Sequence, residues 1–137
     1  MFKMQQMSKV VVIGSPNAGK TSYIQKICNK QFQTNYKATV GVEFSLYNFF
    51  FDELKYQLQF YDICGNEQMQ QQTMQFYQGA KGCIIVVDIT SNYMEDLTQT
   101  IKNYNFALNK YSELKNLPTI ILLNKIDLSQ EEELIKA

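Results

Sequence analysis

The segment Gly14-Ser15-Pro16-Asn17-Ala18-Gly19-Lys20-Thr21 follows the apolar run Val10 to Ile13 and fits the pattern GxxxxGK closed by Ser or Thr. The chemistry open to such a loop is the cradling of a polyphosphate. Gly14 and Gly19 let the backbone turn tightly and aim N–H groups inward, and a helix starting behind them adds the positive end of its dipole. Lys20 would reach the β and γ phosphates as a compact charge, and the Thr21 hydroxyl would take a magnesium position. Far along the chain, Asn124-Lys125-Ile126-Asp127 follows a second apolar run, Thr119 to Leu123, and has the form of a base-reading loop. Together the two segments describe a nucleotide held at both ends, with guanine as the base.

The elements needed to place these residues are legible around them. Lys9 to Gly14 reads as a strand buried on both faces, and Lys20 to Lys30, with Tyr23, Ile24, Ile27 and Cys28, as a helix with one apolar face. Gln31 to Thr39 has no periodicity and is expected to be a loop. Val42, Phe44 and Leu46 alternate with polar positions, Leu54 to Phe60 alternates again, and Asp52-Glu53 lies between, which predicts an antiparallel hairpin. Asp62 closes its second strand, where a carboxylate can hold magnesium through water. Gly65 just beyond can bring an N–H to the γ phosphate. Asp62 to Gln72 is polar and is expected to be a mobile segment leading into a short helix that ends before Gly79 or Gly82. Cys83 to Val87, closed by Asp88, is a further buried strand. Leu97, Ile101, Tyr104 and Leu108 mark a helical face, Pro118 ends that connection, and Ser129 with Glu132 reads as a capping box. Strands alternate with helices throughout, so the class is α/β with a parallel core.

Composition agrees with a single soluble domain of 137 residues, 45% hydrophobic and 19% charged. Thirteen basic residues balance thirteen acidic ones, so no whole-chain field gathers nucleic acid or an anionic membrane, and no nucleic-acid partner is expected. Every basic residue is Lys. Three cysteines without a CxxC pair, in a chain with no histidine, support neither a structural zinc site nor a disulfide scaffold, and a reducing compartment is expected. The stretch Met1 to Met7 carries Lys3 and several glutamines, and the apolar run behind it is too short for a signal segment or a membrane span, so the stretch reads as a frayed lead-in to the first strand.

On these motifs the chain resembles a Ras-superfamily small GTPase, and within that superfamily the Rab branch, over residues 8 to 137. The resemblance implies a P-loop NTPase fold, a mostly parallel sheet with one antiparallel edge strand. It implies one small GTPase domain over residues 1–137, incomplete at its C-terminus, with the sixth strand and final helix missing. GTP or GDP with Mg2+ is the implied cofactor set. Pro16, Asn17, Ala18, Gly19, Lys20, Thr21, Ser22 and Gly65 would surround the phosphates. Asn124 would contact the guanine carbonyl edge, Asp127 would accept from the ring N–H and exocyclic amine, and Lys125 would lie over the base with its aliphatic stem. An adenine offers Asp127 no matching donors and leaves a carboxylate unpaired. Phe32 falls where the family packs an aromatic ring on the base. Thr39, in Thr39-Val40-Gly41-Val42-Glu43-Phe44, would join Thr21 and Asp62 at the metal only when GTP is bound.

Tyr61-Asp62-Ile63-Cys64-Gly65-Asn66-Glu67 stands where Rab proteins have WDTAGQE, and Phe44, Tyr61 and Phe76 correspond to the aromatic triad they show to effectors. The implied catalytic set is Lys20, Gly65 and Asn66. Implied partners are effectors, an exchange factor and an activating protein acting on a monomer. A cytoplasmic protein is expected, with a full-length relative prenylated and held on the cytosolic face of an endomembrane in vesicle trafficking; this chain carries no terminal cysteine for such an anchor. Two departures point to slow hydrolysis. Asn66 replaces the water-orienting glutamine, shortening its reach by about 1.3 Å, and Pro16 removes one N–H from the cradle. The competing readings are a non-catalytic pseudo-GTPase or interaction module and a small-metabolite kinase, which would need a basic lid that the chain does not show.

Overall fold

In the computed structural model, which describes residues 5–16, 18–28, 36–37, 41–63 and 70–128, the central strand β1 (Gln5–Ile13) is covered on both faces. Val11 and Val12 point to opposite sides by the strand period of two, yet both are 0% exposed. That double burial is why the run is continuously apolar and does not alternate. Val11 and Ile13 pack with Cys83, Tyr104 and Leu114 on the side of α3 (Tyr93–Lys110). Val12 packs with Ala18, Ile24, Cys28 and Phe60 on the side of α1 (Lys20–Cys28). A helix layer therefore lies on each face of one sheet, which is the expected α/β architecture.

The sheet has six strands in the order β2-β3-β4-β1-β5-β6, with β2 at Tyr36–Lys37, β3 at Val42–Phe51, β4 at Leu54–Ile63, β5 at Ala80–Asp88 and β6 at Thr119–Asn124. β1 is parallel to both β4 and β5, and β5 is parallel to β6. The predicted hairpin joins β3 and β4 antiparallel, from Val42 opposite Ile63 to Phe51 opposite Leu54. Its two-residue loop, Asp52-Glu53, has φ of 50° and 64°, the left-handed pair whose twist matches that of the flanking strands.

Two expectations are corrected. Gln31 to Thr39 is not wholly loop: Tyr36 and Lys37 form a strand antiparallel to β3, opposite Phe44 and Glu43, so β3 is not the outermost strand. A two-residue strand is too short to show alternation. The lead-in before Lys9 is also strand, since Gln5, Gln6 and Met7 pair with Lys55, Tyr56 and Gln57. Here β4 supplies the backbone partner, and Gln6 and Met7 remain exposed.

On α3 the buried stripe is centred between Tyr104 and Ala107, with Leu97 and Leu108 packed against it and Ile101 left at its rim. α2 (Gln70–Thr73) and a 3-10 turn at Met74–Tyr77 end before Gly79 as predicted. β6 is the outer strand of the described sheet, and Ile120, Ile121 and Leu123 are exposed on it. The capping box at Ser129 and Glu132 and most of the polar segment after Asp62 lie outside the described residues.

Candidate functional site

The neighbours of β1 branch to opposite sides, β4 on one and β5 on the other, so the carboxyl end of β1 opens into the crevice where ligands collect in such sheets. The loop leaving that end begins at Gly14, with φ 151° and no room for a side chain, because a Cβ there would collide with the Val86 carbonyl oxygen. The Ala18 N–H donates to the Ser15 carbonyl at 3.1 Å, closing a turn across Pro16. Pro16 occupies the second position of that turn, where its fixed φ is suited. The residue that removes one donor from the cradle therefore also pre-forms part of it. At Gly19, φ 99°, a Cβ would run into the Asn124 amide nitrogen.

Lys20 begins α1 and is 7% exposed. Its ammonium donates to the Gly14 and Ser15 carbonyls at 3.0 Å each, which holds the charge inside the loop. The next residue, Thr21, donates its hydroxyl to the Asp62 carboxylate at the end of β4. Burial pushes the Asp62 carboxyl above its ordinary value and Glu43 adds to that, while Thr21 and the Lys20 charge oppose it. A hydroxyl and a buried carboxylate side by side are hard oxygen donors suited to Mg2+, which keeps several waters and takes few protein ligands. No group of three or more His, Cys, Asp or Glu residues that could hold a metal ion forms among the described residues.

The raised value has a consequence for stability. A carboxyl that holds its proton more tightly when folded contributes fully below the unfolded carboxylate range, and that contribution is lost as pH rises through the folded value. An ionised Asp62 therefore costs the metal-free fold stability relative to its protonated form. Asp62→Asn is therefore expected to raise the melting temperature of the nucleotide-free protein in EDTA at pH 7. A lowered melting temperature at pH 7 would count against the buried charge.

At the other end of the crevice the Asn124 carboxamide donates to the Ala18 carbonyl at 2.9 Å. It ties the two loops together, a role its place in the tetrad did not show. Lys125 has φ 65°, and its ammonium meets the Asp88 carboxylate at 2.9 Å. That carboxylate also accepts from the Thr90 N–H at 2.9 Å and the Thr90 hydroxyl at 2.6 Å. Burial alone would raise Asp88, but the Thr90 and Lys125 hydrogen bonds together outweigh it and hold the carboxyl below its usual range. Asp127 is exposed in a 3-10 turn at Ile126–Leu128. A cleft of about 360 Å³ is lined by Gly19, Lys20, Thr21, Ser22 and Lys125, so residues of the phosphate loop and of the tetrad share one cavity.

The profile of the Ras family matches residues 9–137. The chain belongs to the Ras family. Among curated proteins, this Ras-family domain is 30% identical over 127 residues to "Ypt/Rab-type GTPase Rab7" of Neurospora crassa, covering 93% of the chain and 62% of that protein. It is 32% identical over 126 residues to "Ras-related protein RABG3e" of Arabidopsis thaliana, covering 91% and 61%. With "Ypt/Rab-type GTPase ypt7" of Schizosaccharomyces pombe the identity is 28% over 133 residues, covering 97% and 65%. It is a Rab-like small GTPase domain, and it spans less than two thirds of the length of these relatives.

Three ring positions of the Ras-family domain also come together. Phe44 meets Tyr61 edge-on at 5.0 Å between centroids, and Tyr61 meets Phe76 at 6.3 Å. The Lys9 ammonium lies 4.2 Å above the Tyr61 ring and donates to the Gln78 carbonyl at 2.8 Å. Asn17, Phe32, Thr39, Gly65 and Asn66 lie outside the described residues. Sequence reasoning did not single out Asp88, which pairs with Lys125, or Thr90, which donates to Asp88. Their signal was present: Asp88 closes an apolar strand at the sheet end where ligands gather.

Proposed function

We propose that the chain is a guanine-nucleotide-binding switch of Rab type that hydrolyses GTP slowly. The observation that carries this reading is the shared cleft, lined by Lys20, Thr21 and Lys125, with Asn124 bonded across to Ala18. The backbone of Gly14 to Thr21 surrounds the phosphates, and Lys20 turns its ammonium from the loop carbonyls to phosphate oxygens. Thr21 and Asp62 would hold Mg2+, which when bound would neutralise negative charge on the phosphates. Asp127 accepts from the guanine edge while Asn124 fixes the distance between the two loops. Thr39 and Gly65 sense the γ phosphate, and Asn66 orients the attacking water with a shortened reach. Phe32 packs on the base.

The Phe44, Tyr61 and Phe76 rings form the surface offered to effectors, which favours a binding role in endomembrane trafficking alongside the nucleotide cycle. An exchange factor and an activating protein complete that cycle.

Exchange of fluorescent GDP with and without magnesium tests the reading. Micromolar or tighter binding is expected, lost in EDTA, with ADP competing on the order of a hundredfold more weakly because it leaves Asp127 unpaired. Absence of binding, or equal competition by ADP, would sink it.

A further inference from the structure

We propose that Asp88 is a positioning residue for nucleotide binding: its carboxylate holds the Lys125 ammonium at the carboxyl end of β5, so that Lys125 meets the nucleoside with its aliphatic stem and not with its charge. The inference rests on the guanine-nucleotide reading and deepens it. Asp88 stands directly opposite Asn124 in the β5–β6 register, one residue before Lys125. Its carboxylate is already oriented by both the N–H and the hydroxyl of Thr90, so it presents a preformed acceptor at the Lys125 position. The ion pair at 2.9 Å is shielded, with side-chain exposures of 32% for Lys125 and 15% for Asp88. Such a pair is screened less by salt than one on the open surface.

Backbone geometry adds a second reason. Lys125 adopts a left-handed conformation, φ 65°, which residues with a Cβ disfavour. The turn around it is braced on both sides, by the Ile89 N–H on the Asn124 carbonyl at 3.3 Å and the Leu128 N–H on the Lys125 carbonyl at 3.0 Å. The ion pair anchors the side chain across this turn, and Lys125 lines the cleft together with Gly19, Lys20, Thr21 and Ser22. Apolar methylenes suit the faces of a base and sugar, whereas the phosphates are served by Lys20.

A double-mutant cycle in the full chain tests the inference, with fluorescent GDP as the probe and Asp88→Asn, Lys125→Met and both together as the variants. Asparagine keeps an acceptor for Thr90 but loses the charge. Asp88→Asn is expected to raise the GDP Kd about tenfold in the native background and less than twofold in the Lys125→Met background. A change that is the same in both backgrounds overturns the proposal, because Asp88 would then act on the fold and not through Lys125. An Asp88→Asn variant that is unfolded in thermal melts without nucleotide would lose binding in both backgrounds, and it overturns the proposal for the same reason. An unchanged Kd overturns the inference alone, and failure of the unsubstituted chain to bind GDP overturns the guanine reading together with it.

Discussion

Replacing Lys20 with alanine is expected to raise the Kd for GDP by on the order of a hundredfold to a thousandfold. The side chain is 7% exposed, and its ammonium spans the Gly14 and Ser15 carbonyls inside the loop. On binding it would exchange those neutral acceptors for charged phosphate oxygens, adding ion–ion attraction to hydrogen bonds that are charge-assisted in either state. Alanine also strips a cation from the two buried carbonyls, so some loss of stability accompanies the loss of binding. Lys20→Met separates the two effects, since it fills the volume without the charge. If titration with labelled GDP gives a Kd within threefold of the unsubstituted chain for both variants, Lys20 is not the phosphate ligand.

Lengthening Asn66 to glutamine is expected to speed single-turnover GTP hydrolysis on the order of a hundredfold. The argument is one of reach. A side chain one methylene shorter would leave its carboxamide about 1.3 Å short of the position from which a glutamine orients the attacking water, and a misplacement near 1 Å can cost about that factor. Nucleotide affinity should hardly change, because the effect belongs to the transition state and not to ground-state binding. None of the 137 residues is arginine, so the variant gains no finger from these residues and should remain responsive to an activating protein that supplies one. Equal hydrolysis rates for the two forms, measured with magnesium at saturating enzyme, would reject the reach argument.

Legibility from the sequence followed how local each feature is. The phosphate loop could be read because its glycines, lysine and threonine are contiguous and lie between a strand signal and a helix signal. The hairpin could be read because two alternating runs flank a two-residue turn. Tyr36–Lys37 could not, since its strand exists only by pairing with Phe44 and Glu43. Gln5 to Met7 was hidden for the same reason, its strand being defined by the pairing with Lys55 to Gln57. Ile101 fits the helical stripe by spacing but sits at its rim, because the position of the sheet beneath α3 decides which part of an amphipathic face is centred.

The amino-acid sequence by itself determined that this chain carries a phosphate-loop pattern and a base-reading tetrad on an α/β framework, because those patterns depend on neighbouring residue types and backbone periodicity. Only the tertiary structure decided that Asn124 bonds to Ala18, that Thr21 meets Asp62, and that Asp88 pairs with Lys125. Each of these joins residues on different elements, and their meeting depends on sheet order and register, which bring β1, β5 and β6 to a common carboxyl end. The tetrad read as a detector for the base is thereby also the clasp that holds the phosphate loop in place.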